Sequence, residues 1–239
     1  MFWLKSFLKL ILRKLNLRLS RYDDSFPRYL KAIESLNINL IFDVGANEGQ
    51  FAKEVIHSGY QGRVISFEPT DEAYKKILRY SKKYDRWLLH DKVAIGDTPA
   101  KVEINVAGNF GASSSILNMK NIHKDAAPSS GYTHKEHVKQ VTFDSIFDFY
   151  FTDGDICLLK IDVQGYEDQV LKGALDSINR IEAIKIECNI VSLYEGDKNY
   201  KYFFDLLEGK GFKLFDIEPG FFNSESGQLL QFDALFVRV

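Results

Sequence analysis

The chain has 239 residues, 45% hydrophobic and 27% charged, a balance that suits one large folded domain and excludes the disordered and fibrous classes. The formal net charge is -2, but residues 1–21 carry six basic groups and no acid, so the other 218 residues hold 25 basic against 33 acidic groups. An acidic body of that kind is not built to neutralise phosphates, and no nucleic-acid partner is expected.

Residues 1–37 form the first segment. On a helical wheel Lys5, Lys9 and Arg13 share one face, while Trp3, Leu4, Phe7, Leu8, Ile11 and Leu15 share the other. This predicts a basic amphipathic helix. Charge interrupts its apolar run every four residues and no small-residue cleavage site follows, so neither a membrane span nor a secretory signal is expected. Two readings stay open: residues 1–21 make peripheral contact with an anionic membrane surface, or the apolar face packs on the domain.

From residue 38 onward, short apolar runs ending in turn residues alternate with helical periods, which predicts a βαβ architecture for a single domain over 38–239. Strands are expected at 38–44, 63–67, 88–95, 156–162 and 183–188, and helices starting near Asn47, Asp71, Tyr166 and Asn199. Continuous runs such as LIFDV and CLLKID suit a parallel sheet buried on both faces. The stretches FKLFDIEPG and ALFVRV, separated by a Gly/Ser/Asn-rich connection, read as an antiparallel hairpin closing that sheet at its C-terminal edge. Residues 107–137 are rich in Gly, Ser, Asn and Pro and read as a loop-rich insertion, a candidate lid. Cys157 and Cys188 lie inside apolar runs, as in reduced, buried thiols, and the expected location is cytoplasmic, with the inner face of a membrane as the peripheral variant.

The chemistry concentrates where strands end. In IFDVGANEGQF (41–51) a buried strand carries Asp43 and runs through Gly45 and Gly49 into a helix, a turn that lets a ligand approach the backbone near free N–H groups. Asn47 or Glu48 as a simple helix cap is the plainer account of the same residues. The next strand ends in FEPT, which puts Glu68 and Pro69 at a strand terminus where a carboxylate can accept from both ribose hydroxyls of an adenosine-type ligand. The third ends in VAIGD, offering Ala94 and Ile95 as an apolar wall for an adenine ring.

Together DVGANEGQF, FEPT, VAIGD and LLKIDVQGYEDQVLKGA resemble the FkbM family of S-adenosylmethionine-dependent methyltransferases. The resemblance implies an α/β, Rossmann-like class I methyltransferase fold: a mostly parallel seven-stranded sheet, an antiparallel C-terminal edge hairpin and helices on both faces. It implies S-adenosylmethionine as cofactor and a hydroxyl oxygen as acceptor; the basic amphipathic N-terminus, which could hold the enzyme near a membrane-bound precursor, favours a sugar or glycan as the bearer of that hydroxyl, with another secondary metabolite as the alternative. Carried over residue by residue, it sets Asp43, Gly45, Asn47, Glu48 and Gly49 around the methionine part, Glu68 and Pro69 at the ribose, Ala94 and Ile95 at the adenine, and Asp162 facing the sulfonium. Where the family often has Glu, this chain has Gln164.

A hydroxyl acceptor needs a general base, and Asp162, Glu187 and His137 are the candidates. Asp162 as a cap for the helix after it, and Glu187 as a structural hydrogen-bond partner, are the alternatives. No metal site is expected, although Asp162, Glu187 and Asn189 form one oxygen-ligand set that could take Mg²⁺. A nicotinamide oxidoreductase shares the strand-turn-helix plan, but G-A-N-E-G lacks the second glycine of a dinucleotide turn. A non-catalytic scaffold of the same fold is the remaining alternative.

Overall fold

The computed structural model describes residues 27–239, so the amphipathic reading of residues 1–21 lies outside the described residues. The described chain begins with α1 (Arg28–Ser35), whose Tyr29, Leu30, Ala32 and Ile33 are buried against the sheet. Arg28 ties that helix to the far edge of the domain by ion-pairing with Asp216.

The main sheet is built from β1 (Leu40–Val44), β2 (Arg63–Phe67), β3 (Trp87–Leu89), β7 (Cys157–Ile161), β8 (Ile181–Asn189), β9 (Phe212–Pro219) and β10 (Gln231–Arg238). Their order across the sheet is β3-β2-β1-β7-β8-β10-β9, parallel except for β10, which runs antiparallel to both of its neighbours. This is the expected mostly parallel seven-stranded Rossmann-like sheet with its C-terminal hairpin. β1, β7 and β8 are apolar because helices cover both faces, and β1 and β7 are buried along their whole length. Chain order reverses between β1 and β7, and in open α/β sheets such a switch point opens a crevice at the strand ends.

Helix α2 (Gln50–His57) follows β1 and α3 (Asp71–Ser81) follows β2. Asp71 and Glu72 in the first turn of α3 complement the positive end of its dipole. Short helices α4 (Asn121–Ala126), α5 (Asp144–Phe147) and α6 (Glu167–Lys172) lie in the connections, and α7 (Tyr200–Gly209) is capped by the Asn199 side chain. On one face Phe42, Phe67, Phe143 and Phe147 pack as a cluster, with Phe42 and Phe143 edge to face at 5.0 Å. Each such fully buried ring contributes about 1.5–3 kcal/mol. On the other face Tyr29, Ile33, Ile41, Val55, Ile77 and Trp87 pack beneath α1, α2 and α3.

Two expectations change. The single strand at 88–95 is two: β3 stays in the main sheet, while β4 (Val93–Gly96) leaves it to form a second, three-stranded sheet in the order β4-β6-β5. The break falls where His90 donates its backbone N–H to Ser66 and Asp91 and Lys92 turn towards solvent. The second concerns the end of the insertion: residues 108–120 are mostly turn and loop, as read, but β6 (Tyr132–Thr142) begins inside 107–137 and pairs with β5 (Ala100–Ala107). In YTHKEHVKQVT polar residues fill both faces of a mostly solvated strand, so the apolar signal that marks buried strands is missing.

Candidate active site

Gly45 follows β1 with φ +75°, and a Cβ there would sit 1.8 Å from the Asp162 carbonyl oxygen. Glycine is required because the turn after β1 presses on the turn after β7. Gly49 is likewise left-handed, and a Cβ there would meet the Trp87 ring at 2.6 Å. Its smallness serves the docking of α2 on the sheet; Gly45, Ala46 and Asn47 are the turn residues that line the crevice.

Glu68 is buried and fixed from two sides. Its Oε2 accepts from the Asn47 N–H at 2.8 Å, and its Oε1 accepts from the Thr70 N–H at 2.8 Å and the Thr70 hydroxyl at 2.5 Å. Burial pushes its carboxyl up to about 7, against the downward pull of those donors and Lys160. The Asn47 side-chain oxygen is buried with no hydrogen-bond partner among the described residues.

These residues open into a cavity of about 480 Å³ at the strand ends, within the roughly 300–1,000 Å³ of small-molecule sites. Glu68, Pro69 and Thr70 line it beside Val93, Ala94, Ile95, Ile104 and Ile116. That end offers a carboxylate acceptor, an unpartnered amide oxygen and an apolar slot, the combination a nucleoside needs. Gly111, Ala112, Ser114 and Ser115 cover it from the 107–137 segment. Ser115 holds the cover down by donating to the Gln164 carbonyl at 2.7 Å, and Ser113 contacts the buried His123 ring at 3.2 Å.

Past the switch point lies Asp162, whose Oδ1 accepts from the Gln164 side-chain amide at 2.8 Å. The same amide nitrogen donates to Glu187 Oε2 at 2.7 Å, and Gln164 Oε1 accepts from the Tyr194 hydroxyl at 2.7 Å. A glutamate at 164 could not bridge two carboxylates in this way, so the departure from the family pattern has a structural use. Glu187 also accepts from Gln231 at 2.8 Å. Burial raises its pKa well above the ordinary value, and the nearby Asp162, Asp233 and Glu167 carboxylates add to the rise. Glu167, not Asp162, ties the following turn by accepting from the Val163 and Gly165 N–H groups.

Beneath Asp162, Lys160 donates to the Gly45 carbonyl at 2.8 Å and lies 3.2 Å from Asp43 and 3.6 Å from Asp162. Burial opposes its charge, but Asp43 and Asp162 more than offset that and raise its pKa. The cavity continues along the sheet to Tyr29, Phe51, Glu54, Lys185, Glu218 and Asp233.

Several expected residues stand elsewhere. Asp43 is fully buried under the crevice floor, accepting from Ser66 and paired with Lys160, so it positions the turn without reaching a ligand. Glu48 turns outward to Lys76 at 2.5 Å, since left-handed Asn47 swings the chain away from the crevice. His137 lies on β6 with its side chain 83% exposed, opposite Glu103, and does not reach the cavity. Glu187 is next to the site but engaged by two amides, and Asn189 donates to Asp197, so the Asp162, Glu187 and Asn189 set presents no shared open face for Mg²⁺. Among the described residues no three His, Cys, Asp or Glu side chains are grouped to hold a metal ion. Both cysteines are buried free thiols, and no described helix is long and apolar enough to cross a membrane.

Residues that sequence reasoning missed include Tyr29, Phe51, Glu54, Thr70, Lys185, Glu218 and Asp233. For three of them a signal existed: Lys185 shares strand alternation with Glu187, and Asp233 and Glu218 occupy one face of the C-terminal hairpin.

The profile of the family described as Methyltransferase FkbM domain matches residues 43–214. The 2-O-methyltransferase NoeI of Sinorhizobium fredii (strain NBRC 101917 / NGR234) is 26% identical over 184 residues, 70% of either protein. Among solved structures, magnesium protoporphyrin IX methyltransferase from Synechocystis PCC 6803 with bound SAM aligns at TM-score 0.48 and 10% identity, covering 90% of this chain and 77% of that one. A putative tRNA (m1A22) methyltransferase from Streptococcus pneumoniae, in complex with S-adenosyl-L-methionine, aligns at TM-score 0.47 and 11% identity, covering 89% and 72%.

Proposed function

The chain belongs to the FkbM methyltransferase family, and on that footing we propose that it is an S-adenosylmethionine-dependent O-methyltransferase acting on a hydroxyl of a sugar, glycan or related secondary metabolite. The observation that carries this reading is the position of Asp162. It lines the same cavity as Glu68, Ala94 and Ile95, which suit a nucleoside, and as Tyr29, Phe51 and Asp233, which supply aromatic and polar walls.

Bound S-adenosylmethionine supplies an electrophilic methyl group on a positively charged sulfur. The chain's own residues do the rest. Glu68 accepts from the ribose hydroxyls, Asn47 Oδ1 gains the donor it lacks, and Ala94 and Ile95 flank the adenine. Asp162 accepts the proton of the acceptor hydroxyl as that oxygen attacks, while Lys160 and Gln164 hold its carboxylate in place. Positioning of the acceptor by the walls of the compartment supplies the remainder of the rate enhancement. The 2-O-methyltransferase named among the relatives favours oxygen as the acceptor atom.

The test is transfer of labelled methyl from S-adenosylmethionine to a panel of sugars and hydroxylated metabolites, in wild type and Asp162→Asn. The reading expects transfer that falls about 10²–10⁴-fold in the variant while S-adenosylhomocysteine affinity is retained. Transfer that is unchanged in the variant removes Asp162 as the base.

A further inference from the structure

We infer that the far compartment is an acceptor subsite selective for an uncharged polyhydroxylated ring and against its phosphorylated or carboxylated counterparts. The inference rests on the methyl-transfer reading above and adds the charge of the acceptor.

Strand register puts the acids together. Glu187 pairs across the sheet with Asp233, Asp233 with Glu218, and Asp162 follows the β7 residue opposite Ile186, so four adjacent strands carry a row of carboxylates on one face. Glu54 joins them from α2, and Asp43 lies under the floor. Among the described residues two ammonium groups line the cavity with this set, both already engaged: Lys160 with Asp43 and Asp162, and Lys185 with Asp233 and Glu218. Their side chains are only 11% and 8% exposed, so neither is free to meet an incoming anion.

Leaving Glu187 and Glu218 aside, the carboxyl groups of Asp43, Glu54, Asp162 and Asp233 outnumber the two lysines, and Arg28, the other described cation beside Glu218, is paired with Asp216. The cofactor's sulfonium reduces this negative charge without reversing it. A phosphate or carboxylate entering here meets repulsion in a partly desolvated space. A ring with several hydroxyls meets carboxylate acceptors at the spacing of neighbouring strands. Its apolar edges meet Phe51 and Tyr29, stacked at 5.6 Å and 28°.

The experiment is ligand-observed NMR titration of the full-length protein saturated with S-adenosylhomocysteine. The probes are neutral mono- and disaccharides, each paired with its sugar phosphate and its uronate. The expected result is binding of at least one neutral sugar, its charged partners at least tenfold weaker, and a discrimination that shrinks in Asp233→Asn and in Glu54→Gln, each verified as folded by its melting curve. Charged partners that bind as well as the neutral sugar, or a panel in which no neutral sugar binds to the cofactor-loaded protein, overturn the inference and leave the methyl-transfer reading in place. Failure of wild type to bind S-adenosylhomocysteine removes that reading, and the inference falls with it.

Discussion

The ionisation of Glu68 should be visible in cofactor binding. Burial raises its carboxyl from 4.5 to about 7 even though three protein donors favour the charged form. Between those values the folded chain holds a proton that the unfolded chain has released, so this group's contribution to stability declines as pH rises from about 4.5 to 7. The whole swing is on the order of 3 kcal/mol. On the proposed placement of the ribose its hydroxyls donate to the ionised carboxylate, so ligand binding runs the other way and strengthens with pH. With a pKa near 7, affinity for S-adenosylhomocysteine should be about tenfold weaker at pH 6 than at pH 8, with about half a proton released per ligand bound at pH 7. Calorimetric titration at three pH values, in buffers of different ionisation enthalpy, measures both quantities. Glu68→Gln should bind more weakly throughout and lose the dependence. A wild-type affinity that is flat over this range, or a dependence that survives in Glu68→Gln, refutes the assignment of Glu68 to the ribose.

Two further substitutions test the architecture under the site. Gly45→Ala forces a methyl group into the Asp162 carbonyl at a left-handed position and should cost about 1–3 kcal/mol or more, read as a lower melting temperature with the β1 and β7 turns displaced. Lys160→Met leaves Asp43 buried without its cation and should cost about 3–5 kcal/mol in a denaturant titration; restoring charge balance with Asp43→Asn in the same chain should recover part of that loss.

Much of the fold is legible in the sequence because buried parallel strands are continuous apolar runs. LIFDV and CLLKI stand out for that reason, and the β9–β10 hairpin stands out through its polar connection. β6 does not, because a mostly solvated strand such as YTHKEHVKQVT carries no apolar stripe and its existence depends on β5 lying beside it. The site divides along similar lines. Glu68, Asn47, Ala94, Ile95 and Asp162 are set by local strand-to-turn geometry, and each lines the cavity. Asp43 and Glu48 belong to the same motif, yet one lies beneath the floor and the other turns outward. Spacing along a strand gives a side chain's face but not what covers it. Strand alternation gives the faces of Lys185, Asp233 and Glu218, but their convergence on the cavity follows from the pairing of β10 with β8 and β9, which no local pattern records.

The most direct test of the account is a crystal structure of the protein with S-adenosylhomocysteine. The account predicts the ribose hydroxyls on Glu68, the adenine beside the Ala94 and Ile95 stretch of β4, and the sulfur facing Asp162 at the opening to the Phe51 and Asp233 compartment. A ligand bound outside this cavity, or lying in it with its adenosine in the far compartment, would contradict the account.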